Sequence, residues 1–128
     1  MILLLDTSTP TCRLTLVDGD WRDDSIWEAG RTLAKGLLGF LDQEISFAEK
    51  SWSDVSGLAV YKGPGSFTGL RIGITVFNTL ADINNLPIVG VTGEGWRASG
   101  LERLQNGEND KIVLPEYGGE ANITKPRK

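Results

Sequence analysis

The sequence contains no histidine, and its 128 residues include a single cysteine, Cys12. Without histidine, Ser-His-Asp and Cys-His catalysis are excluded, and the commonest zinc ligand is missing. One thiol cannot close an internal disulfide, so a stapled secreted scaffold is excluded too. The aliphatic run at the start, Ile2-Leu3-Leu4-Leu5, is too short for a signal-peptide core or a membrane span, and no cation precedes it. The expected location is the cytoplasm, with no membrane attachment. Positive charge is also scarce. Thirteen Lys and Arg against 17 Asp and Glu give a net charge of −4, the wrong sign for a module that grips nucleic acid alone.

What is present suits one ordinary domain. Hydrophobic residues make up 40 % and charged residues 23 %, enough for a core and close to the globular average. The cations are unevenly placed: Lys125, Arg127 and Lys128 fall within the last four residues, with no acid among them. An acidic body with a basic tip suits a protein that meets RNA only beside a partner. A solvated tail is the plainer reading.

Ile2–Leu5 reads as a buried central strand that opens into the polar turn Asp6-Thr7-Ser8-Thr9. Cys12 to Val17 alternates, with Cys12, Leu14 and Leu16 on one face, so it reads as a half-buried strand. Asp18-Gly19-Asp20 supplies hairpin chemistry, and a shorter third strand is expected around Ser25–Glu28. Leu33, Leu37, Leu41, Ile45 and Ala48 then recur at helical steps between about Thr32 and Lys50. Gly36 and Gly39 lie inside that helix, at roughly 1 kcal/mol each relative to Ala. They are either neutral or a place where another backbone comes close.

Gly57–Tyr61 is a further short buried strand, followed by a glycine-rich loop and a helix from about Thr68 to Asn84. Ile88–Val91 is a last strand, and Glu94–Leu104 a candidate third helix. The order β-β-β-α-β-α-β-α predicts an α/β fold: a mixed five-stranded sheet, three strands antiparallel, with flanking helices. This order matches a single ribonuclease-H-like lobe, the unit that the actin-like ATPase superfamily uses twice. The lobe is expected over residues 1–105. Residues 106–128 read as a turn-rich linker and a basic C-terminal tail.

The loop Gly63-Pro64-Gly65-Ser66-Phe67-Thr68-Gly69 leaves a strand and opens a helix, a place where main-chain N–H groups hold anions. A phosphate-binding P-loop would need Lys and then Ser or Thr after Gly69, where Leu70 and Arg71 stand. A dinucleotide fingerprint would need glycine where Thr68 stands. Tight-turn duty is therefore the plainer reading. Asp6, at the tip of the first strand, could hold a metal–nucleotide complex, or it could cap a turn.

The helix after the loop carries two apolar stripes. Leu70, Ile74, Phe77, Leu80 and Ala81 share one side, and Ile72, Val76, Thr79 and Ile83 nearly the opposite one. A helix on a sheet needs one apolar face, so the second meets either the first helix or a partner. Partner docking is the reading favoured here.

The run Gly63-Pro64-Gly65-Ser66-Phe67-Thr68-Gly69-Leu70-Arg71-Ile72-Gly73 is specific. With Asp6-Thr7-Ser8 and Leu86-Pro87-Ile88-Val89-Gly90-Val91 in consistent order, it closely resembles the TsaB (YeaZ) family over about residues 1–100. The resemblance implies a non-catalytic dimerization subunit in the formation of N6-threonylcarbamoyladenosine in tRNA. Such a subunit pairs with the TsaD catalytic subunit and, through that pair, with the ATPase TsaE. tRNA would be met only through the complex, and no cofactor is expected. Gly36, Gly39 and Phe40 would sit beside Ile72, Val76, Thr79 and Ile83 in the interface, and the same stripe could drive homodimerisation.

Typical members have a second lobe after the region near Trp96, and here none is found. The segment Pro115 to Lys128 nevertheless resembles the family's C-terminal ending, so a short form with an internal deletion is expected. The rival reading is a nucleotide-binding enzyme that uses Asp6 and the Gly63–Gly69 loop.

Overall fold

The computed structural model describes residues 1–117. Five strands, β1 (Ile2–Asp6), β2 (Thr11–Asp18), β3 (Trp21–Glu28), β4 (Gly57–Tyr61) and β5 (Ile88–Val91), form one sheet in the order β3-β2-β1-β4-β5. β1–β2 and β2–β3 are antiparallel, while β1–β4 and β4–β5 are parallel. The expected α/β class and mixed sheet are what the chain adopts.

Because side chains alternate along a strand, β1 feeds both faces of the sheet. Leu3 and Leu5 enter the core beneath α1 (Leu33–Phe47) and α2 (Phe67–Asn84), and Leu4 enters a smaller core beneath α3 (Trp96–Gln105). Helix α1 buries Leu33, Leu37, Leu41 and Ile45, one per turn. Helix α2 buries Leu70, Gly73, Ile74, Phe77 and Ala81. Its ends are set locally: the Ser66 side chain caps the Gly69 N–H, and Asn85 takes a left-handed conformation at φ 54°.

Three boundaries differ from the sequence reading. β3 begins at Trp21, because the hairpin ladder continues to the turn at Gly19-Asp20 and an edge strand tolerates charge toward solvent. α1 stops at Phe47, since Glu49 adopts φ 60°. α3 begins at Trp96, after Gly93 at φ 87° and the N-cap Gly95.

The fourth difference is larger. Residues 106–117, read as linker, fold back onto the lobe. Val113 is buried in the main core, and both its main-chain groups bond to the Asn78 side chain. The turn before it closes the outer edge of β5. There Asn109 accepts from Ile88 N–H at 3.1 Å, and Asp110 accepts from Gly90 N–H at 2.9 Å. Arg103 donates to the Gly90 carbonyl at 2.9 Å while pairing with Asp110 and Glu108. Turn-forming residues 106–110 gave the linker impression; here they cap a strand. Among the described residues, no helix is long and apolar enough to cross a membrane.

Candidate functional site

The family loop lies against the tip of β1. Ser66 N–H donates to the Ser8 carbonyl at 2.8 Å, and the buried Thr7 hydroxyl donates to the Gly69 carbonyl at 2.7 Å. The glycines permit this approach. A Cβ at Gly65 would sit 2.5 Å from Ser8 Cβ, and one at Gly69 or Gly73 would run into Thr7. Gly63, at φ 124°, lies against the carbonyl of Glu116. Pro64 accepts the Tyr61 hydroxyl at 3.0 Å, Thr68 begins α2, and Arg71 lies 5.9 Å over the Phe67 ring.

This packing answers the nucleotide question in part. Asp6 accepts the Ser8 N–H at 2.8 Å, an ordinary turn contact. The Ser66 N–H is taken up by the Ser8 carbonyl, and those of Gly69 and Leu70 by the Ser66 hydroxyl and carbonyl. Among the described residues no three of His, Cys, Asp and Glu are grouped to hold a metal. Burial, with the Asp6 charge adding to it, pushes the Cys12 thiol up to about 12, so it supplies no thiolate near neutrality. Tyr61 is raised in the same way, by burial first and then by Asp6 and Glu116.

Several apolar side chains of α1 and α2 meet solvent. Between α1 and α2 lies an open groove lined by Ala34, Phe67, Thr68, Arg71, Ile72, Thr75 and Val76. Ile72 and Val76 are half-buried at its floor, packed against the core by one flank. Thr79 and Ile83 continue the stripe in the open, and Ile83 is 72 % exposed. The stripe is thus packed against its own core at the start and exposed at the end. Leu38, 51 % exposed, went unnoticed because it lies one residue off the buried α1 stripe. The ring of Phe67 stacks on Tyr117 at 4.2 Å, a contact that sequence spacing could not reveal.

The seven expected interface residues do not form one surface. Gly36 lies against Trp27 of β3, where an added Cβ would meet the indole at 2.8 Å, and Phe40 stacks on the same ring at 5.2 Å. Both belong to the flank of α1 that overhangs β3, away from the groove beside α2. Gly39 is exposed and has nothing within 4 Å of its would-be Cβ. One glycine therefore serves an internal contact and the other does not. Lys125, Arg127 and Lys128 lie outside the described residues.

Comparison with known proteins agrees with the family resemblance. The family model "TsaD: tRNA N6-adenosine threonylcarbamoyltransferase" matches residues 27–99, more than half of the chain. The tRNA threonylcarbamoyladenosine biosynthesis protein TsaB of Escherichia coli (strain K12) is 34 % identical, across 80 % of this chain and 47 % of that protein. Its counterpart from Haemophilus influenzae is 32 % identical, across 84 % and 46 %. The solved structure of YeaZ from Pseudomonas aeruginosa superposes with a TM-score of 0.69 at 31 % identity, covering 82 % of this chain and 49 % of that one. The chain thus spans about half the length of the curated relatives it matches. With a shared fold and these identities over most of its length, the chain belongs to the TsaB (YeaZ) family.

Proposed function

We propose that the chain works in tRNA threonylcarbamoyladenosine biosynthesis as a non-catalytic docking subunit. In this reading it acts in the cytoplasm and seats a TsaD-type catalytic subunit on the free stripe of α2 and the adjoining groove. A TsaE-type ATPase and tRNA join that pair, and tRNA is met only through the complex. The observation that carries the reading is the apolar stripe that leaves the core at Ile72 and Val76 and reaches open solvent at Ile83. Covering a side chain such as Ile83 contributes roughly 1.5–3 kcal/mol before the cost of association is subtracted. The committed geometry of Asp6, Ser66 and Gly69 supports a structural duty for the loop over nucleotide chemistry.

The test is co-purification with the TsaD-type subunit of the same organism. Ile83→Glu places a charge on an exposed side chain, so the thermal melt is expected to stay as in the parent. Binding is expected to fall by about tenfold or more if Ile83 is a central contact. Undiminished binding by Ile83→Glu and by Val76→Glu would remove the α2 stripe from the account.

A further inference from the structure

The two edges of the sheet are treated differently. The outer edge of β5 is closed by Arg103, Asn109 and Asp110. Among the described residues, the main-chain groups of Arg22, Asp24, Ile26 and Glu28 on β3 take part in no hydrogen bond beyond the sheet. Those are the groups that point outward. The two-residue loop Gly19-Asp20 makes Asp18 and Trp21 the hydrogen-bonded pair that closes the hairpin. Alternation then turns Trp21, Asp23, Ser25 and Trp27 toward β2, and the residues between them, with Glu28, away from it.

A second feature lies over the same edge. α1 runs along β3, with Gly36 and Phe40 at Trp27 and Glu44 accepting the Ser25 hydroxyl at 2.7 Å. Phe47 stands on that flank, seven residues from Phe40, and is 71 % exposed. An open strand edge and an uncovered aromatic thus face the same side. Ile26, 62 % exposed, projects from the opposite face of β3 at this edge.

We propose that a second copy of this chain pairs antiparallel with β3 across a two-fold axis, so that one sheet runs through both copies and the two α1 flanks meet over the seam. Such a pairing is isologous and closes on itself. Charge selects its register. Outward-pointing residues must face one another, which restricts the symmetric registers to those centred on a residue of the strand. Four of these pair at least half of β3. Centred on Asp23 or on Asp24, the pairing sets that aspartate against its own copy. Centred on Ile26, it sets Asp24 against Glu28. Centred on Ser25, it opposes no like charges: Arg22 faces Glu28 of the second copy at both ends, and Asp24 faces Ile26. Opposite charges across a pair stabilise it and like charges destabilise it, so the Ser25-centred register is the one this sequence permits. The surface lies on the far flank of α1 from the α2 stripe, so both can be occupied together.

Sedimentation equilibrium of the full chain tests the proposal. The parent chain is expected to dimerise within the concentration range reached, up to roughly a hundred micromolar. Arg22→Glu is expected to weaken the dimer about tenfold or more, and the swap Arg22→Glu with Glu28→Arg to restore it. Ile26→Pro removes an N–H that β2 does not use, so it is expected to abolish the dimer while leaving the melt of the monomer in place. A chain that stays monomeric throughout would overturn the proposal. So would a dimer indifferent to Arg22→Glu, or one lost through Ile83→Glu instead, since that dimer would use the α2 stripe.

Discussion

The side chain of Asn78 closes both main-chain groups of Val113: its amide donates to the Val113 carbonyl and its carbonyl accepts the Val113 N–H, each at 2.9 Å. The two residues lie 35 positions apart, so this clamp fixes the returning segment to α2. It also holds the Val113 side chain in the core, where it lies against Gly90.

Asn78→Ala leaves both groups of Val113 without a partner at a partly buried site. The expected loss is about 1–3 kcal/mol, read as a lower urea midpoint at unchanged slope. Exchange of the Asp110 and Glu116 amides, which donate to Ile88 and Lys62, is expected to accelerate. If their protection is unaltered, the segment is held by its other contacts.

The elements with strong periodicity were legible in the sequence: β1, β4, β5 and the buried face of α1 declare themselves through runs and i+4 steps. The segment from Asn106 to Tyr117 was not legible. Its turn residues look the same whether they wander in solvent or cap a strand, and only the distant Ile88 and Gly90 decide which. β3 was underread for a related reason. Its charges at Arg22, Asp23 and Asp24 argue against a strand locally, but the edge position removes the cost of carrying them. Of the candidate site, the split α2 stripe was visible, while its partial cover by Ala34 and the assignment of Gly36 to Trp27 needed three dimensions.

Gly36 and Gly39 separate two readings that sequence left open. Gly39→Ala adds a methyl in open space on a helix interior and is expected to stabilise by about 0.5–1 kcal/mol. Gly36→Ala gains the same propensity but drives its Cβ into the Trp27 ring, 2.8 Å away. The melting temperature is therefore expected to rise for the first variant and to stay level or fall for the second. Equal rises in both would mean that the indole yields freely.

Three carboxyls are held below the usual range, Asp18 by its surface pair with Lys50, and Asp24 and Asp110. Acid stability rests chiefly on the last two, because both also bond to buried or main-chain partners. The Thr15 hydroxyl, bonded to Asp24 at 2.5 Å, outweighs burial and, with Arg22 and Arg97, holds that carboxyl below the usual range. Burial opposes ionisation of Asp110, but the Gly90 N–H and Arg103 prevail, with a smaller contribution from Lys62. Both groups thus bind protons less readily folded than unfolded, where a carboxyl titrates near ~4. Their contribution is complete above that unfolded value and is lost as pH falls through the lower folded one. The melting temperature is expected to be flat near neutrality and to drop below about pH 4. Asp24→Asn combined with Asp110→Asn is expected to lower the neutral plateau and to flatten the acid limb. A double variant with the parent's acid limb would place the pH dependence in other groups.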